Sequence, residues 1–246
     1  MNPLMNNIQT VLQFSSVTLN IVLLILLLRG FLRKYWFLFV YNLAQFLIIL
    51  AERVLLRDAD RGTLFYRHVY WTSEVIWDFL LFLLIADFIQ SALAGRPERP
   101  LARKMLWIVS AGVLVLPFLL YHDRTMFTSA WFSGATQVIN FGAAILTLVL
   151  WGALIASRNR DPQLMMVCAG LGITVAGAAF AWGVRQLAKG GSITADDVRT
   201  GADVFAAVTY LAGLALWCWA FRFPAPVTAP ATAPVGSGSQ DKVPRL

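Results

Sequence analysis

Long apolar blocks constrain this chain more than any motif does. Seven of them span residues 8–28, 35–56, 69–93, 105–121, 127–156, 163–187 and 202–221. A helix rising about 1.5 Å per residue needs about 20 mostly apolar residues to cross a hydrocarbon layer, and most blocks reach that length, the fourth being the shortest. In lipid every backbone N–H and C=O must be bonded internally, so continuous apolar runs of this length are read as helices. The predicted fold is all-α: a polytopic integral membrane protein with seven transmembrane helices in one domain, residues 1–223. Composition agrees, with 59% hydrophobic and 13% charged residues, against about 25% charged in soluble domains. The connections are too short for a soluble domain, so any enzymatic output would belong to another polypeptide.

Basic residues set the expected orientation. Arg29, Arg33, Lys34, Arg96, Arg99, Arg103, Lys104, Arg158, Arg160, Arg222, Lys242 and Arg245 fall on one side, 12 of the 20 Lys and Arg. That side is predicted cytoplasmic, which puts the C-terminus inside and the N-terminus outside. The +7 formal charge is then a topology signal on loops facing anionic lipid, and it implies no nucleic-acid partner. Met1–Thr10 has no basic n-region, so no cleaved signal peptide is expected. Residues 224–246, rich in Pro, Ala, Gly and Ser, read as a disordered cytoplasmic tail.

The third block holds the most informative polar residues. At about 100° per residue Arg67, Trp71, Glu74 and Asp78 share one stripe, and Asp78 lies roughly 16 Å below Arg67, near mid-membrane. A carboxyl group there is expensive. It persists when it faces protein or water and is paired, protonated or used, so it marks a functional site by default. Other blocks carry polar stripes at helical spacing: Gln13, Ser16 and Asn20; Asn42, Gln45 and Arg53; Ser133, Gln137, Asn140 and Thr147; Thr174 and Arg185; Asp203 and Tyr210. Arg53 is placed to pair with Glu74 or to snorkel to headgroups beside Glu52. The sixth block is rich in Gly and Ala, as a closely packed helix would be. The fourth holds little but Ser110 and Pro117 and is expected to be peripheral. Gly190-Gly191 suits a helix cap, and Thr194 suits a start of the last helix ahead of the membrane.

Several chemistries are excluded or lack support. A seven-helix retinal pigment needs a lysine in its last span, and residues 202–221 contain none. No cofactor is therefore expected. His68 and His122 are too few and too far apart for a catalytic zinc site. Cys168 and Cys218 read as packing residues on a reducing side. No phosphate loop or Gly-x-Ser-x-Gly nucleophile occurs, and no catalytic residue is assigned.

The run Leu28–Tyr41, with its Arg29, Arg33-Lys34 and following aromatics, and the later Tyr70-Trp71-Thr72-Ser73-Glu74 resemble a family of small seven-helix membrane proteins of soil bacteria, acidobacteria among them. The resemblance spans about the first hundred residues. It implies fold, topology and a bacterial cytoplasmic membrane. The family has no established activity, so no catalytic residue follows from it.

The leading functional reading is a sensory or binding module. Its polar cavity would open to the outer side, be lined by Gln45, Arg53, Glu74, Asp78, Gln137, Asn140, Arg185 and Asp203, and take a small molecule or lipid. Signalling would pass to a separate membrane or cytoplasmic protein. A proton-coupled transporter or channel using Asp78 and Glu74 is the alternative, and a structural subunit of a larger membrane assembly the third.

Overall fold

The structure, a computed structural model, describes residues 3–55, 64–121, 128–156, 161–188 and 195–222. The tail at 224–246, the Gly190-Gly191 cap and Thr194 lie outside the described residues, as do the side chains of Arg53 and Arg67. Among the described residues all regular structure is helical: α1 (Pro3–Leu26), α2 (Trp36–Leu55), α3 (Leu64–Ala92), α4 (Arg99–Leu120), α5 (Ser129–Ala156), α6 (Pro162–Ala188) and α7 (Ala195–Ala220). Six of these contain a stretch long and apolar enough to cross a membrane. In α2 the apolar stretch among the described residues is the shorter Trp36–Ala51. The last helix begins at Ala195, ahead of the apolar block that starts at Ala202.

Helix contacts close a ring. α1 packs on α2, α2 on α3, α3 on α5, α5 on α6, α6 on α7 and α7 back on α1, while α4 lies outside against α3 and α5. The sequence of α4 explains its place: it buries only the narrow stripe Leu106, Ser110 and Pro117 and exposes Met105, Trp107, Ile108, Leu119 and other large apolar side chains. It has few small or polar residues to draw it into the ring, and its apolar surface suits lipid.

The closest approach is between α6 and α7. A Cβ added to Gly213 would stand 2.8 Å from the Gly170 carbonyl oxygen, and one added to Gly170 would stand 2.9 Å from the Gly213 carbonyl oxygen. The two backbones therefore touch, as the run of small residues in α6 predicts. Trp217 bridges them further, its Nε1–H donating to the Val167 carbonyl at 2.8 Å.

At the end of the bundle marked by the Gly95 connection, the interior is apolar. Leu27, Leu38, Leu84, Ile85, Leu150, Leu171 and Trp217 are fully buried there in one continuous core. A single π turn, Leu27–Phe31, follows α1, and Gly30 within it has φ +143°, a conformation only glycine adopts cheaply. The turn leads Phe31 and Tyr35 onto Phe221, with ring centroids 5.1 and 4.9 Å away. Beside them Lys34 Nζ lies 2.6 Å from Asp161 Oδ2. Asp161 also caps α6, its Oδ1 accepting the Gln163 N–H at 3.1 Å, and Pro162 follows as the first helical residue.

Candidate functional site

Polar side chains collect in the other half of the bundle. On α3, Asp78 Oδ2 accepts a hydrogen bond from Asn140 Nδ2 of α5 at 3.1 Å. Glu74, one turn away on α3, and Thr136, one turn from Asn140 on α5, also act on this carboxylate. From α2 the Tyr41 hydroxyl lies within electrostatic reach of Asp78 and accepts a 2.7 Å hydrogen bond from Trp77 Nε1. The Trp77 ring meets Tyr210 of α7 edge-on, centroids 6.1 Å apart. The Tyr210 hydroxyl in turn accepts from Asn20 Nδ2 of α1 at 2.9 Å. Gln45 of α2 and Tyr41 sit beside it. Five of the six ring helices thus contribute to one polar layer. In α6, Thr174 bonds the carbonyl of its own helix at Gly170 (3.0 Å).

This layer is buried and incompletely bonded. Asn20 and Asn42 are 0% exposed and Gln45 1%. Asn20 Oδ1, Asn42 Oδ1, Thr136 Oγ1 and both amide atoms of Gln45 have no hydrogen-bond partner in the protein. Gln45 faces the Tyr210 hydroxyl without reaching hydrogen-bond geometry, and Thr136 stands in the same relation to Asp78. Each such group costs about 1–3 kcal/mol when left unsatisfied, and in a native protein it calls for a specific explanation.

Above the layer a groove of about 310 Å³ opens between α1 and α7. Leu12, Gln13 and Ser16 form one wall and Asp203, Val204 and Ala207 the other, with Tyr210 at the floor. The polar stripe Gln13-Ser16-Asn20 is what turns this face of α1 toward α7. Asp203 is ion-paired with Arg185 of α6, both partly exposed.

The residues singled out by periodicity therefore fall into distinct places. Asp78, Glu74 and Asn140 meet, Gln45 stands beside Tyr210, and Arg185 and Asp203 form a pair at the groove. Gln137 corrects the expected cavity: it is exposed. Ala135, Ile139 and Ala143 turn into the core, and the polar row that follows them inward runs through Thr136 and Asn140, leaving Gln137 on the outer side. Arg53 contributes no described side chain. Tyr41, Trp77 and Thr136 belong to the layer although helical spacing of amides and carboxylates does not point to them. Among the described residues no three His, Cys, Asp or Glu side chains come together. Comparison with protein-family models, curated proteins and solved structures finds no match for this chain.

Proposed function

We propose that this chain is a membrane-embedded sensory or binding module whose recognition site is the groove between α1 and α7. In this reading all seven helices cross the cytoplasmic membrane of a bacterium, with the N-terminus outside, the C-terminus in the cytoplasm and the groove facing outward. The groove itself carries the reading: a half-open space with a polar floor, continuous with a buried polar layer and backed by an apolar core. At about 310 Å³ it is near the lower limit of ligand sites, about 300–1,000 Å³, which suits a small molecule or the head of an amphiphile. A transporter or channel working through Asp78 and Glu74 would need polar groups through the Gly95 half as well. There Leu27, Leu38, Leu84, Ile85 and Leu150 fill the interior, the hydroxyl of Thr147 is bonded to the Ala143 carbonyl of its own helix at 2.8 Å, and Asp87 is a single half-buried carboxyl near the end of α3. With no room for an output domain in the connections, a bound ligand would act through a separate protein.

Accessibility tests the site and its orientation together. In a Cys168→Ala, Cys218→Ala background, Ala207→Cys is expected to react with an impermeant thiol reagent in intact cells, and Arg99→Cys only after permeabilisation. Labelling of Ala207→Cys only after permeabilisation would reverse the orientation. No labelling under either condition would remove the groove as an open site.

A further inference from the structure

The unsatisfied atoms below the groove are arranged as a path. Tyr210 is both the groove floor and a member of the buried layer. From its hydroxyl the next polar groups are Asn20 and Gln45, then the Tyr41 hydroxyl, then Asp78, whose far side is closed by Asn140. Asn20 and Gln45 together offer three polar atoms without protein partners, two acceptors and one donor site. A buried water makes about three hydrogen bonds to otherwise unsatisfied groups. Two carbonyl-type oxygens, an amide and two phenolic hydroxyls within one layer provide those partners.

We infer that Asn20, Gln45, Tyr41 and Tyr210 hold internal water that joins the groove to Asp78, so that Asp78 is a proton-binding residue served from the groove side. The inference rests on the groove being open, as proposed above, and adds that its deepest ligand is the proton. The step is a simple acid dissociation. The O–H bond of the Asp78 acid breaks, the electron pair stays on the carboxylate, and the proton passes to water and out to buffer. The groups facing Asp78 are Glu74 from its own helix, Asn140 and Thr136 from α5 and Tyr41 from α2. Asn140 donates through its amide, a bond that strengthens when the proton leaves. Behind Asp78, toward the Gly95 end, the core is mostly apolar, Thr147 is bonded to its own helix, and the next carboxyl is the half-buried Asp87.

Infrared spectroscopy of the full chain in lipid nanodiscs reads this directly. The Asp78 carboxyl C=O band, assigned by its loss in Asp78→Asn, is expected to appear on acidification across the pH range in which the bundle stays folded. Transfer to D2O should shift it within the mixing time. Tyr210→Phe, which removes one hydroxyl and preserves the ring packing, should slow that exchange roughly tenfold, as should Gln45→Leu, each deleting a hydrogen-bonding station. Thr147→Val, in the Gly95 half, should leave it unchanged. The inference is overturned if no Asp78 band appears in that range, if exchange in the wild type takes hours, or if Tyr210→Phe and Gln45→Leu both exchange like wild type. Thiol labelling of Ala207→Cys in the same nanodiscs separates the two ideas. A labelled groove with slow exchange refutes the water path and leaves the binding site standing, whereas an unlabelled groove with fast exchange refutes the groove as the proton's way in.

Discussion

Replacing Gly213 by alanine adds one methyl group at the point where α7 touches α6. Its Cβ would lie 2.8 Å from the Gly170 carbonyl oxygen, whereas a comfortable C···O contact is about 3.3–3.6 Å, so the helices must part by roughly half an ångström. The nearest atom is Thr174 Oγ1, the end of a side chain, but the Gly170 carbonyl behind it is backbone, which cannot rotate away. A gap of that order forfeits about a quarter of the dispersion well for each facing atom pair, and overpacking of this kind typically costs about 1–3 kcal/mol; we expect about 2 kcal/mol. Gly170→Ala should cost more, because its Cβ meets the large buried Trp217 ring at Nε1, 2.6 Å away, and would displace the donor to Val167, whereas the side chain facing Gly213 is the small Thr174. Since one separation relieves both carbonyl contacts, the double variant should lose about 1 kcal/mol less than the sum. Gly112→Ala and Gly152→Ala are the controls: a Cβ there meets nothing within 4 Å, and the change should be neutral or stabilising by up to about 1 kcal/mol. Reversible unfolding in mixed micelles, with the fraction of dodecyl sulfate as denaturant, measures all five. A loss below about 0.5 kcal/mol for Gly213→Ala, or an equal loss at Gly112, would refute the argument that backbone contact sets the α6–α7 distance.

Two further outcomes are expected. Asn140→Leu should lower stability in the same assay by about 1–3 kcal/mol by removing the donor to Asp78, and adding Asp78→Leu should recover part of the loss; equal or greater loss in the double variant would show that the pair does not act as a unit. At Asp161, burial alone would raise the carboxyl, but the Lys34 ammonium and the N–H groups of Leu164 and Gln163 outweigh it and hold the group below the usual carboxylate range. Its stabilisation is therefore present above the unfolded value of about 3.9 and is lost as pH falls through the lower folded value. Asp161→Ala should cost about 0.5–2 kcal/mol at pH 7 through the lost cap, and the deficit should shrink toward zero in acid; a deficit independent of pH would contradict this.

Helical periodicity makes much of the candidate site legible. Gln13, Ser16 and Asn20 recur at steps of three and four and do share the face turned to α7, and Asp78 and Asn140 stand out as polar groups deep in apolar blocks. Phase is coarser than position, which is why Gln137 and its neighbour Thr136, about 100° apart on the helix, exchange places between expectation and structure. Tyr41 and Trp77 are hidden for another reason: aromatic residues are common in membrane helices as belt and packing groups, and nothing in their spacing marks the hydrogen bond between them. Asp161-Pro162 could have been read, since an acidic cap ahead of proline is a helix start. The direct contact of α3 with α5 leaves no trace in either helix's period. The plain apolar character of α4 is its indirect signal.

The displacement of α4 from the ring bears on how the protein is made. Asp78 and its partner Asn140 are 62 residues apart in sequence, with all of α4 emerging from the ribosome between them. At about 5–20 residues per second, the carboxyl waits for several seconds before the amide that satisfies it has been synthesised. During that interval α3 has only α2 and the newly arrived α4 for company, and neither supplies Asn140. Membrane insertion must therefore either hold α3 at the protein-conducting channel or let it enter with its acid protonated. Helix α5 then packs against α3 with α4 outside them both, so the order of helices around the bundle departs from their order of synthesis.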